Sequence, residues 1–222
     1  MKRFGVRDGF HVVEEGIARG DALLLPWHAL PLSGRHNALN VCAALTVLDA
    51  IGIEVAAVLP ALQTFGALPH RLQPLGTRDG IEYVNDSIAT TPYATLAALA
   101  FFADRRTTVI VGGYDRGVPW DVFRTGMEVA PAHAVVVTGQ NAERIAQALA
   151  GLAAPRVLRA SSLDEAMRIA RELTPPGGVV LLSPGAPSFG EFRDYVERGK
   201  CFARLAGFDP EAIASIDGLG IA

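Results

Sequence analysis

Ile81-Glu82-Tyr83-Val84-Asn85-Asp86-Ser87-Ile88-Ala89-Thr90-Thr91-Pro92 is the stretch on which the fold turns. Its first four residues alternate as a strand does, and a helical run, 92–102, follows at once. A strand thereby delivers an acid, hydroxyls and an amide to the open end of a helix. Thr91 can cap that helix and Pro92 can occupy its first turn. Free N–H groups and the positive end of the helix then face any anion bound there, which suits a carboxylate or a phosphate.

Downstream the same strand–helix unit recurs. Strands are expected at 81–85, 107–111, 134–138, 156–159 and 179–183, and helices at 92–102, 120–129, 141–149, 163–173 and 189–205. Thr107-Thr108-Val109-Ile110-Val111 is rich in β-branched residues, which favours a strand. Val135-Val136-Val137 and Val179-Val180-Leu181-Leu182 are continuous apolar runs, as strands buried on both faces of a parallel sheet should be. Ser162 with Glu165, and Ser188 with Glu191, have the spacing of capping boxes. Residues 70–222 therefore read as a doubly wound α/β domain with a mostly parallel sheet. Its ligands should gather at the strand C-termini.

Upstream the pattern differs. Phe10–Val13 and Ala22–Leu25 look like short strands, and helices are expected at 37–51 and 58–65. Two strand pieces and two helices make a thin core for a domain, so 1–69 reads as the tail of a larger one. Half of the 222 residues are hydrophobic and 19% are charged, which points away from disorder. A net charge of −3 without a basic run argues against nucleic acid as partner. Cys42 and Cys201 form no CxxC pair, so neither a disulfide frame nor a zinc site is expected. No apolar stretch is long enough to cross a bilayer, and no apolar signal core follows Met1. The expected location is the cytoplasm.

Four polar segments end strands or open helices: 85–91, 112–117, 138–141 and 183–190. Singly each has a plain explanation: Gly112-Gly113 allows a tight turn, Arg116 is a surface charge and Ser188 a helix cap. Together they offer an arginine, the hydroxyls of Thr90 and Ser188, and a helix N-terminus, the parts needed to hold a dicarboxylate. His36, Asn37 and Asn40 share one face of the first long helix by their spacing. Asn is neutral to poor inside helices, so the pair asks for partners. Arg71, beside the apparent junction, could be a hinge ion pair or a phosphate contact. Neither a G-x-x-x-x-G-K-[ST] cradle nor a G-x-G-x-x-G after a strand occurs, which weakens a nicotinamide-dependent dehydrogenase.

Taken in order, Ser33–Asn40, Leu68-Pro69-His70-Arg71, Asn85–Thr90, Gly112–Gly117, Leu182–Phe189 and Glu197-Arg198-Gly199 resemble segments of the Mur ligase family. These are ATP-dependent, ADP-forming acid–amino-acid ligases of peptidoglycan precursor synthesis. The resemblance is nearest to the branch that adds glutamate to UDP-N-acetylmuramoyl-L-alanine, and spans roughly residues 33–208. It implies a Rossmann-like C-terminal domain preceded by the end of the central ATPase domain, with the P-loop in a missing N-terminal half that also binds most of the ATP and Mg²⁺.

By the same resemblance His36, Asn37, Asn40, Arg71 and Asp86 serve ATP. Thr90, Arg116, Ser188, Phe189 and Tyr195 hold glutamate. No residue is assigned to a metal or to a catalytic step. D-glutamate-adding members carry lysine at the positions of Ile88 and Arg116. The forms found here resemble a branch that joins L-glutamate, the enantiomer favoured. The alternatives are a D-glutamate ligase, a folylpolyglutamate-type ligase, and a stand-alone small-ligand binding module without catalysis.

Overall fold

The computed structural model describes residues 2–30, 34–62 and 68–213, the side chain of His36 apart. The chain divides into two compact units, 1–67 and 68–222. In the first, β1 (Phe10–Val13), β2 (Gly16–Arg19) and β3 (Ala22–Pro26) form an antiparallel sheet in that order. Helices α1 (Arg35–Ala50) and α2 (Val55–Leu62) follow. Phe10, Ile17 and Leu25 from the sheet bury with Ala38, Cys42, Leu45 and Val55. Cys42 is a buried free thiol within that core. The α2 helix starts earlier than the expected 58–65; positions 63–65 lie outside the described residues.

The second unit carries a six-stranded sheet in the order β4-β5-β9-β6-β7-β8. Its strands are β4 (Gln73–Arg78), β5 (Ile81–Asn85), β6 (Thr107–Val111), β7 (Ala134–Val137), β8 (Arg156–Arg159) and β9 (Val179–Leu182). Every neighbouring pair from β5 to β8 is parallel, and β4 is an antiparallel edge. Side chains alternate through the sheet. Val109, Val111, Val135, Val137 and Leu181 face α3 (Pro92–Phe101), α4 (Asp121–Val129) and α5 (Ala142–Ala148). Ile110, Val136, Val180 and Leu182 face α6 (Leu163–Leu173) and α7 (Tyr195–Ala206). Strands with helices on both sides have no polar face, which is why β7 and β9 are continuous apolar runs. Phe123 and Met127 are essentially fully buried, each worth about 1.5–3 kcal/mol of burial.

The strand order sets the site. From β5 the chain skips one place to β6, continues outward to β7 and β8, and returns to lay β9 between β5 and β6. After β5 and β6 it turns to the face of α3 and α4; after β9 it turns to the face of α7. Loops that part this way open a crevice at the strand C-termini.

Two expectations need correction. The last helix begins at Tyr195, not 189, and its cap is Asp194, whose side chain accepts Glu197 N–H at 2.8 Å. Residues 184–190 contain Pro184, Gly185, Pro187 and Gly190, which oppose regular helix. The loop makes a single turn there, Phe192 N–H to the Ser188 carbonyl. Glu191 Oε1 accepts instead from Leu163 N–H at 3.4 Å. At α6 the cap is Ser162 as expected, but Glu165 reaches back to Ser161.

Candidate functional site

At the end of β5, Asn85, Asp86 and Ser87 are all buried. Asn85 Nδ2 donates to His70 Nδ1 at 2.9 Å, and Asn85 Oδ1 accepts Ser87 N–H. That places the His70 proton on Nε2, and burial holds the imidazole below its ordinary pKa. Gly199 on α7 is the residue that admits this pair: a Cβ there would lie 2.2 Å from His70 Nδ1. Tyr195 sets its ring edge-on to His70, with centroids 5.6 Å apart.

Asp86 bridges two chain segments. One carboxylate oxygen accepts Leu72 N–H at 3.1 Å and the other the Ser183 hydroxyl at 2.7 Å. Burial pushes its pKa up to about 6, against the lowering by those bonds and by the Arg71 charge. At pH 7 it is an anion held in a dry setting, with the exposed Arg71 guanidinium acting on it. A buried carboxylate with an exposed guanidinium acting on it suits a ribose hydroxyl and a phosphate.

The loops after β5 and β6 meet directly: Arg116 Nη2 donates to the Thr90 carbonyl at 3.1 Å. That bond uses one of five guanidinium N–H groups. Thr91 caps α3, accepting Ala94 N–H, with Pro92 in the first turn. The β6 loop is tied to the β9 loop by Gly112 N–H to Pro184 O at 2.7 Å and Tyr114 N–H to Pro187 O at 2.9 Å. Gly112 sits at φ 112°, and a Cβ there would meet the Thr138 carbonyl at 1.9 Å. Its lack of a side chain is thus a packing requirement as well as a turn. Ser188 is buried, whereas Phe189 is exposed and packs its ring edge-on against Tyr114. Thr90, Arg116, Ser188 and Phe189 therefore share the rim around the end of β9.

Tyr195 stands with His70, and its carbonyl accepts the Ser87 hydroxyl at 2.8 Å. Asn37 and Asn40 lie early in α1, in the first unit, as does the backbone of His36. The sequence reading assigned no role to Asn85, His70, Ser87, Ser183 or Arg198. The polar segments 85–91 and 183–190 are the signals that could have flagged Asn85, Ser87 and Ser183.

Residues 70–185 match the description of the Mur ligase glutamate ligase domain. The chain belongs to the Mur ligase family. Similar Mur ligases include the UDP-N-acetylmuramoyl-L-alanine--L-glutamate ligase of Xylella fastidiosa (strain Temecula1), 52% identical across all of this chain and 48% of that protein. The ligase of that name from Salinispora tropica is 43% identical over 83% of this chain and 42% of its own length. The chain thus spans about half the length of the curated relatives it matches. Among solved structures, UDP-N-acetylmuramate-alanine ligase from Thermotoga maritima superposes with TM-score 0.62 at 21% identity, over 86% of this chain and 42% of that one. Folylpolyglutamate synthase of Mycobacterium tuberculosis gives 0.58 at 21% identity, over 88% and 46%. These likenesses show the fold. Among the described residues no helix is long and apolar enough to cross a membrane.

Proposed function

We propose that this chain is the amino-acid-binding portion of an ATP-dependent ligase that joins L-glutamate to UDP-N-acetylmuramoyl-L-alanine in the cytoplasm. Residues 1–69 are then the end of the central ATPase domain and 70–222 the glutamate-binding domain. In this scheme the acceptor's carboxylate is phosphorylated at the expense of ATP. The glutamate amine attacks the acyl phosphate, an amide forms, and phosphate and a proton leave.

The observation that carries the reading is the gathering of Thr90, Arg116 and Ser188 on loops bonded to one another around the end of β9. It is supported by relatives, about half identical, that bear the L-glutamate name. Arg116 would offer its fork to a glutamate carboxylate, Thr90 and Ser188 their hydroxyls, and Phe189 and Tyr195 the walls. Arg71 and Asp86 would meet phosphate and ribose of ATP, and a role in ATP binding is likewise proposed for His36, Asn37 and Asn40. These groups position reactants and steady charge, which is where such catalysis arises. Mg²⁺ would neutralise phosphate charge. Among the described residues no cluster of three or more His, Cys, Asp or Glu is placed to hold a metal.

The test is phosphate release by a chain completed to the relatives' full length, given ATP, UDP-N-acetylmuramoyl-L-alanine and each glutamate enantiomer. Faster turnover with L-glutamate is expected. Preference for D-glutamate would overturn the stereochemical assignment, and no turnover with either would overturn the reading.

A further inference from the structure

Arg198, in the first turn of α7, is only 3% exposed. Its Nε donates to Ser87 Oγ at 3.0 Å and its Nη2 to the Ser87 carbonyl at 2.8 Å. Ser87 passes the connection on, its hydroxyl donating to the Tyr195 carbonyl. The third nitrogen, Nη1, is buried and has no hydrogen-bond partner among the described residues.

A cavity of about 10 Å³ is lined by Arg198, Ser188, Gly112, Gly113, Thr138 and Glu191, among others. A Cβ on Gly113 would come within 3.1 Å of Nη1, so the loop after β6 runs directly over that nitrogen. The Thr138 hydroxyl in the same wall is also buried and unpartnered among the described residues.

A purely structural brace explains two of the three nitrogens. It does not explain a buried cation without an ion pair. None of the ion pairs among the described residues includes Arg198. Glu191, whose charge acts on it, is exposed and engaged with Leu163 N–H. A buried charge costs free energy unless it is paired and fully hydrogen-bonded, so stability alone gives little reason for a guanidinium here.

We infer that Arg198 is a positioning residue of the amino-acid site. Its guanidinium fixes the loop bearing Asp86 and Thr90 through Ser87. It also keeps a positive charge at the cavity that Ser188 lines, only partly offset by Glu191, and a substrate carboxylate at the rim completes it. Burial pushes its pKa down to about 10, so it stays charged at neutral pH. This inference rests on the amino-acid site proposed above.

The test uses the completed ligase with steady-state kinetics on glutamate and ATP separately, for Arg198→Met, Arg198→Lys and Ser87→Ala. A charge-assisted interaction of ordinary strength predicts a KM for glutamate raised about 10- to 100-fold in Arg198→Met. KM for ATP should rise less than KM for glutamate, and loss of the two bonds to Ser87 should lower the melting temperature. Arg198→Lys should recover part of the loss, and Ser87→Ala should raise the glutamate KM less than Arg198→Met does. A folded Arg198→Met with unchanged glutamate KM overturns the inference. So does an equal rise in both KM values, the mark of a brace alone. If Arg198→Met does not fold, unchanged glutamate KM in both other variants overturns it. A wild type that turns over with no glutamate enantiomer refutes the proposed function instead.

Discussion

Replacing Asp86 by Asn should stabilise the second unit at neutral pH while disabling the site. Burial lifts the Asp86 carboxyl from 3.8 to about 6, so the folded state binds the proton more tightly than the unfolded chain. Below roughly pH 4 the group is neutral in both states and contributes no difference. As pH rises through the window from about 4 to 6, the unfolded chain ionises first and the folded state loses stability. Above it the loss is complete at about 3 kcal/mol, two pKa steps at about 1.4 each. The amide can keep both bonds, Oδ1 accepting from Leu72 N–H and Nδ2 donating to Ser183 Oγ. For a unit of this size such a gain corresponds to roughly 6–12 °C in melting temperature. The assay is thermal unfolding of Asp86→Asn and its parent across that pH range. Both should carry Trp27→Phe, so that the buried Trp120 is the remaining tryptophan and reports the second unit. The stability difference between the two should grow with pH in favour of Asn. A pH-independent difference, or an Asn variant that weakens relative to its parent as pH rises, would refute the reasoning.

Gly199→Ala should destabilise the second unit by about 1–3 kcal/mol, because the new methyl overlaps His70 Nδ1 and must push the His70–Asn85 pair apart; urea titration measures it. Thr91→Ala removes the α3 cap and should cost about 1 kcal/mol in the same titration. Arg116→Lys in the completed ligase keeps the charge but loses the planar fork. It should raise KM for glutamate and leave KM for ATP unchanged, as read by phosphate release.

What local sequence reveals here is burial and periodicity. β7 and β9 were legible because strands packed on both faces need unbroken apolar runs, and β6 because its residues are all β-branched. β2 was not: Gly16-Ile17-Ala18-Arg19 is too short and too mixed to alternate. β4 contains Pro74 and Gly76, which argue against a strand. It survives as an edge strand with an irregular register between those residues. One signal for it was present in Asp79-Gly80, a two-residue hairpin loop with φ of 54° and 75°, the pattern that closes antiparallel pairs. The site was legible as a set of loops at strand ends. The contacts that join the loops were not. Arg198 meets Ser87, 111 positions away, and Ser183 meets Asp86 across 97. Nothing local in the chain encodes such pairings; only the return of β9 between β5 and β6 brings them together.

The claim on which the account stands is that the rim around β9 accepts an amino dicarboxylate. Amide NMR of the isotope-labelled chain, titrated with L-glutamate, tests it directly. The account predicts saturable shifts concentrated at Thr90, Gly113, Arg116 and Ser188, with the sheet's opposite edge unmoved. Shifts that cluster elsewhere in the second unit, or none up to the solubility limit of glutamate, would contradict it.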